Sequence, residues 1–222
     1  VSALSTGEGG TVSFGILKNA NYYHLSELAA VFREAHPNVR IRLLGQNSFE
    51  VADAVRNGTL EAGLLCLPVP TEGLHIQPLM RHEILWASSK PERCMRPMSL
   101  IDMPKEPLIL YDARHGEEDP TRLQLTQQAQ QLGVTLEPDI EVESVDAAMS
   151  LVSRGLGDSI VPQAVAQSDH FPSNIHVTTL ENPIYDTFAL VRRENWELSP
   201  IAAHLADLAV SMLLNKVSGE IA

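Results

Sequence analysis

The chain has 222 residues, 44% hydrophobic and 20% charged, globular proportions that exclude a disordered chain and suffice for one large domain or two lobes. Sixteen basic residues against twenty-eight acidic leave a formal charge of −12, which repels phosphate backbones and anionic lipid, so this stretch is not itself a nucleic-acid binder. Two cysteines cannot build a disulfide framework and suit a reducing, cytoplasmic compartment. The most apolar stretch, Ile201 to Val217, is interrupted by His204, Asp207 and Ser211 and does not read as a membrane span. Residues 1–9 have neither a basic n-region nor an apolar h-region, and read as the end of an upstream linker entering a glycine-rich joint.

From Thr11 onward strands and helices alternate. Val12, Phe14 and Ile16 have the period of two of a strand, and Leu25, Leu28, Ala29, Phe32 and Ala35 the spacing of a helix stopped at His36-Pro37. Val39, Ile41 and Leu43 predict a second strand, and Asn47 with Glu50 a capping box that opens a helix ending at Gly58. Ala62 to Cys66 is a continuous apolar run, a strand covered on both faces. This β-α-β-α-β order predicts parallel strands with right-handed crossovers.

The same logic then repeats. Ile84–Ala87 and Leu108–Tyr111 read as strands, and Asp119-Pro120 opens a helix carrying Leu123, Leu125, Ala129 and Leu132 to Gly133. After Ile140–Val142, Ser144 caps a helix that ends in Gly155-Leu156-Gly157, followed by the strand Ser159–Val161 and Pro162. Thr187–Val191 is the last strand, and Ser199-Pro200 begins the closing amphipathic helix. The sequence has no histidine pair at a metal-binding helical spacing, no G-x-S-x-G elbow and no phosphate-binding glycine loop, so neither metal, cofactor nor enzymatic activity is expected.

The stretch Gly10 to Ile16, together with Leu25 through Phe32-Arg33-Glu34-Ala35-His36-Pro37, resembles the opening of the effector-binding domain of LysR-type transcriptional regulators. Ser144 to Pro162, with its Val152…Gly155-x-Gly157…Pro162 pattern, is similar to a signature of the same family, and Gly58-Thr59-Leu60-Glu61 to its glycine-x-leucine-aspartate step. The resemblance runs from Gly10 to the last helix; Glu61 and Asp158 depart from the usual aspartate and small apolar residue. It implies two Rossmann-like α/β lobes joined by crossing hinge strands, a type 2 periplasmic-binding-protein-like fold. Residues 10–88 and 186–222 would form one lobe and 89–185 the other. It further implies a homodimer, a tetramer in the full-length protein, and DNA contact only through an N-terminal winged helix-turn-helix outside this stretch.

By the family pattern a small effector in the inter-lobe cleft touches Lys18, Asn19, Ala20 and Asn21 after the first strand, Gln46, Asn47 and Ser48 at a helix start, and Cys66 and Leu67 after the third strand. In the other lobe it touches Tyr111, Asp112, Arg114, Val145, Asp146 and Ile160 to Pro162. Each has a plainer reading. Asn47 and Ser48 cap a helix with or without a ligand, Asp146 suits a helix dipole, Arg114 a surface ion pair, and Tyr111 a core. Lys18 at the mouth of such a cleft suits a carboxylate, although a solvated loop lysine looks the same. Cys66 could be a redox-active thiol or a small buried hydrophobe. The alternative function is an extracytoplasmic solute-binding protein of the same fold.

Overall fold

The computed structural model describes residues 10–219, with side chains through residue 214. The linker reading of residues 1–9 lies outside the described residues. The chain forms two compact units: the residues up to Met80 with those from Thr187 onward, and Arg81–Asp186.

The first unit opens with β1 (Thr11–Leu17), α1 (Leu28–Ala35), β2 (Arg40–Gln46), α2 (Ser48–Arg56) and β3 (Ala62–Leu67). The chain then enters the long strand β4 (Leu74–Ser88), whose far end belongs to the second unit. There follow β5 (Leu108–Leu110), α3 (Pro120–Gln131), β6 (Ile140–Glu141), α4 (Val145–Ser153), β7 (Asp158–Pro162), the single turn α5 (Gln163–Ala166) and β8 (His176–Thr178). β9 (Ile184–Arg193) returns the chain to the first unit, where α6 (Pro200–Gly219) closes it.

In the first unit β1 lies between β2 and β3, both parallel to it, and β9 pairs antiparallel with β3. Val51 and Val55 of α2 pack with Leu60, Leu65 and Val191 into one apolar cluster. Gly15 and Gly63 allow that close approach, because a Cβ on Gly63 would stand 2.7 Å from Val51 Cγ1. Across α1 and α6, His36 Nε2 and His204 Nδ1 share a hydrogen bond of 2.7 Å, with the His36 ring against buried Phe32.

In the second unit β7 pairs antiparallel with β4 and parallel with β5, which in turn pairs parallel with β6. Asp158, where the family pattern expects a small apolar residue, is buried and bonded at 2.7 Å by the Nε of Arg93. The same guanidinium donates to the carbonyl of Asp102 at 3.1 Å and stands 5.6 Å from the Trp86 ring. Gly157 has no room for a side chain, since a Cβ would run into the Pro107 carbonyl oxygen.

Several elements differ from their sequence reading. The strand expected at Ile84–Ala87 is the last part of β4, and β8 has no counterpart among the expectations. The chain passes between units inside β4, at Met80–Arg81, rather than after Ser88, because Ile84–Ala87 already pair with β7. The first helix starts as a 3-10 turn at Leu25–Glu27. Leu132, expected on the buried face of α3, is 44% exposed beyond its end.

Candidate functional site

Each unit presents a set of parallel strand ends. In the first, Leu17 is in register with Gln46, and β1 and β3 are parallel, so Lys18, Asn47 and Cys66 follow or end strands that point the same way. The turn after β1 enters a 3-10 helix, Ala20–Tyr23, with Ala20 buried, Lys18 and Asn19 half-buried and Asn21 exposed. The Asn19 side chain makes no capping bond there, while its carbonyl accepts from Tyr22 N–H at 3.0 Å.

At α2 the capping box is formed: Asn47 Oδ1 accepts from Phe49 N–H at 2.9 Å and Glu50 Oε2 from Asn47 N–H at 3.2 Å. Asn47 is 3% exposed, and its carbonyl oxygen is engaged in the cap. Ser48, also buried, accepts the backbone N–H of Cys66 at 2.9 Å, tying the start of α2 to the end of β3. Gln46 Oε1, at the end of β2, is buried with no hydrogen-bond partner. This set joins a helix N-terminus, a lysine, a serine hydroxyl and a buried amide oxygen, which suits a small ligand carrying negative charge and a donor.

In the second unit Tyr111 is buried at the end of β5, where its carbonyl accepts from Arg122 Nη1 at 3.3 Å. Asp112 follows in the left-handed region, φ 60°, and is buried. Arg114 is exposed; its N–H donates to Glu143 Oε2 at 3.1 Å and it lines a cavity of about 530 Å³ with Arg122, Glu117, Glu118 and Glu141. Ser144 caps α4 by accepting from Ala147 N–H at 3.2 Å. Val145 is buried in the core beneath that turn, whereas Asp146 is exposed in it. Ile160, Val161 and Pro162 are all buried on β7, so what they offer a ligand is backbone.

The two thiols differ from a redox pair. Cys94 donates to the His176 carbonyl at 3.2 Å, and burial, followed by the charge of Asp158, pushes its pKa up to about 11. A thiol held protonated is a poor nucleophile. Cys66 is half-buried, and the two cysteines belong to different units.

The sequence reading missed a carboxylate cluster. Asp119 caps α3, accepting from the N–H groups of Thr121 at 3.1 Å and Arg122 at 2.9 Å. Asp186 on β9 accepts the Thr121 hydroxyl at 2.6 Å. Burial, then the charge of Asp112, raises Asp119 to about 7; burial raises Asp186 to about 6, its bond from Thr121 opposing and the charge of Asp112 adding. The only local signal was the Asp119-Pro120 cap, and Asp186 lies far away in sequence. Among the described residues no group of three or more His, Cys, Asp or Glu is arranged to hold a metal, and no helix is long and apolar enough to cross a membrane.

Each of the two α/β units presents parallel strand ends followed by capped helix N-termini, the arrangement of a domain that binds small molecules. Residues 5–213 match the family model described as the LysR substrate binding domain, and the chain belongs to that family. It is 24% identical over 187 residues to the uncharacterized HTH-type transcriptional regulator YvbU of Bacillus subtilis, covering 83% of this chain and 62% of that protein. The chain thus spans less than two thirds of that relative's length. In fold it is similar to the regulatory domain of CcmR from Synechocystis PCC6803 in complex with 2-PG (TM-score 0.78, 17% identity, 93% of this chain and 98% of that one). It is also similar to the effector binding domain of BenM with its effector benzoate (TM-score 0.73, 23% identity, 94% of each chain).

Proposed function

We propose that this chain is the effector-sensing part of a LysR-type transcriptional regulator. Its ligand is a small anionic or zwitterionic metabolite, and DNA is bound by a winged helix-turn-helix elsewhere in the whole protein. The carrying observation is the first unit's set of strand ends: Lys18 follows β1, whose Leu17 is in register with Gln46 at the end of β2, Gln46 Oε1 is buried with no hydrogen-bond partner, and the N-terminus of α2 with Ser48 comes next in the chain. A carboxylate answers the N–H groups and the lysine; an ammonium or hydroxyl on the same ligand answers Gln46. Asn19, Asn21 and Cys66 border this set, and Tyr111, Asp112, Arg114, Val145, Asp146 and Pro162 are the contacts assigned to the second unit. Asn47 and Val145 act through backbone, since one side chain is a cap and the other is core.

Binding would couple to DNA through a cytoplasmic homodimer, tetrameric in the whole protein, with a coupling free energy of about 1–3 kcal/mol. The family match favours this reading over an extracytoplasmic solute-binding protein. A thermal-shift screen of the chain against central metabolites at millimolar concentration tests it. A ligand at about 100 times its Kd adds about 2.7 kcal/mol, which moves the midpoint by several degrees. A screen that is flat for carboxylates, amino acids and sugar phosphates alike would remove the small-molecule reading.

A further inference from the structure

Two histidines 168 residues apart meet where α1 packs against α6 in the first unit. His36 is the C-cap of α1 and His204 lies in the second turn of α6, with His36 Nε2 and His204 Nδ1 2.7 Å apart. His36 is held by its surroundings. Its N–H donates to the Phe32 carbonyl at 3.0 Å, its carbonyl accepts from Val39 N–H at 3.1 Å, and its ring stands 4.6 Å from the fully buried Phe32 ring. The His204 ring lies 5.8 Å from the same phenyl ring and at 75° to the His36 ring. His36 is half-buried and His204 exposed, so the pair is open to solvent through His204. Of the charged groups nearby in the chain, Arg33 in the last turn of α1 donates to the Val39 carbonyl at 3.5 Å. Asp207 follows His204 by three residues, exposed on the same face of α6, a placement that suits a cation.

We propose that His36 and His204 form a two-histidine site for a divalent copper or nickel ion, which ties the last helix of this unit to the first. Imidazole nitrogen suits late transition metals, and the spacing of the pair selects among them. Two nitrogens bound at about 2.0–2.1 Å lie about 2.9 Å apart at the right angle of a tetragonal ion, and about 3.3 Å apart at a tetrahedral angle. From 2.7 Å the first needs a few tenths of an ångström and the second about three times as much. The order of intrinsic affinities also places Cu2+ above Zn2+. On binding, the ring that donates the shared N–H moves its proton to its outer nitrogen. Both inner nitrogens then offer a lone pair, and no net proton is lost. The exposed His204 ring turns to aim both at one point, while His36 stays against Phe32. Among the described residues no set of three His, Cys, Asp or Glu forms, so water or a small anion completes the coordination. A search for histidines at helical spacing cannot see this pair, because the two come from opposite ends of the chain.

The site is independent of the effector reading, and its test needs no effector. Cu2+, Ni2+ and Zn2+ are titrated separately into the 222-residue chain at pH 7.5 by calorimetry, with electron paramagnetic resonance of the Cu2+ sample. One equivalent of Cu2+ is expected to bind with two imidazole nitrogens in its spectrum. His36→Asn and His204→Asn are each expected to abolish that equivalent or weaken it about tenfold or more. His170→Asn, which removes an exposed histidine of the second unit, is expected to leave it in place. A second readout separates a metal tie from a merely structural contact. Ni2+ is expected to raise the urea midpoint of the wild type and to leave those of the two variants where they are. Should His36→Asn disturb the end of α1, His204→Ala at its exposed position decides alone. Wild type and His204 variants that bind the same number of ions with the same affinities overturn the site. Zn2+ held more tightly than Cu2+ overturns the tetragonal assignment.

Discussion

Ser48 and Lys18 stand in the same corner of the first unit, yet they respond to substitution differently. The Ser48 hydroxyl oxygen is the acceptor for Cys66 N–H, so Ser48→Ala leaves that donor without its partner at the junction of α2 and β3. The expected cost is about 1–3 kcal/mol of stability, read in urea melts, in addition to any loss of ligand. Lys18→Ala removes a half-buried loop cation at the end of β1. It is expected to lower effector affinity about tenfold, by calorimetry with the first hit from the screen. Equal affinity in wild type and Lys18→Ala would take the lysine out of the site. At this scale the sequence named the cap residues correctly, but it could not tell a serine that binds ligand from one that satisfies a distant backbone donor. That bond spans 18 residues and depends on the register of β3.

Elements were most legible where a cap marks them. Asn47, Asp119-Pro120 and Ser144 each open the helix expected of them, because a short polar acceptor before an apolar period is a local signal. β4 was less legible for an equally local reason. Its first half, Leu-His-Ile-Gln-Pro-Leu-Met-Arg, carries Pro78 and alternates poorly, since much of it is exposed, and proline demotes a strand in any single-sequence reading. β8 is three residues whose only ladder partner among the described strands is β4, and it owes its form to that pairing rather than to its own pattern. Asp158 is the more instructive case. As a departure from the family pattern it looks like a fault in a buried strand, and the structure supplies Arg93 from a 3-10 turn 65 residues earlier as its counter-ion. Removing one member strands the other charge in the core. Arg93→Ala or Asp158→Ala is expected to cost about 3–5 kcal/mol in chemical denaturation, and the double replacement by apolar residues of similar volume much less than the sum. Single variants that lose under 1 kcal/mol would mean that the pair is solvated in practice.

For the whole molecule, the carboxylates pull the pH profile of stability in two directions. Asp102 and Glu106, held low by their bonds to Lys105 and Lys90, favour the folded state at neutral pH and lose that contribution on acidification. Both are solvent-screened, so their effect is small. Asp119 and Asp186 act in the opposite sense and from inside the second unit. Their folded values, about 7 and about 6, lie above the ordinary value of 3.8, so the folded state holds their protons more tightly than the unfolded chain does. The stability this gives is fully present below the unfolded value and is lost as pH rises through 6 and then 7. The chain is therefore expected to be most stable on the acid side of neutrality, around pH 5, and to weaken by a few kcal/mol by pH 8. Melting temperatures at fixed ionic strength across pH 4.5 to 8.5 measure this. Asp186→Asn, which keeps the shape of the protonated acid, is expected to flatten the alkaline limb and to exceed wild type at pH 8. A wild-type profile that is level or rising from pH 5 to 8 would mean that the buried carboxylates find compensation in solution and remain ionised throughout.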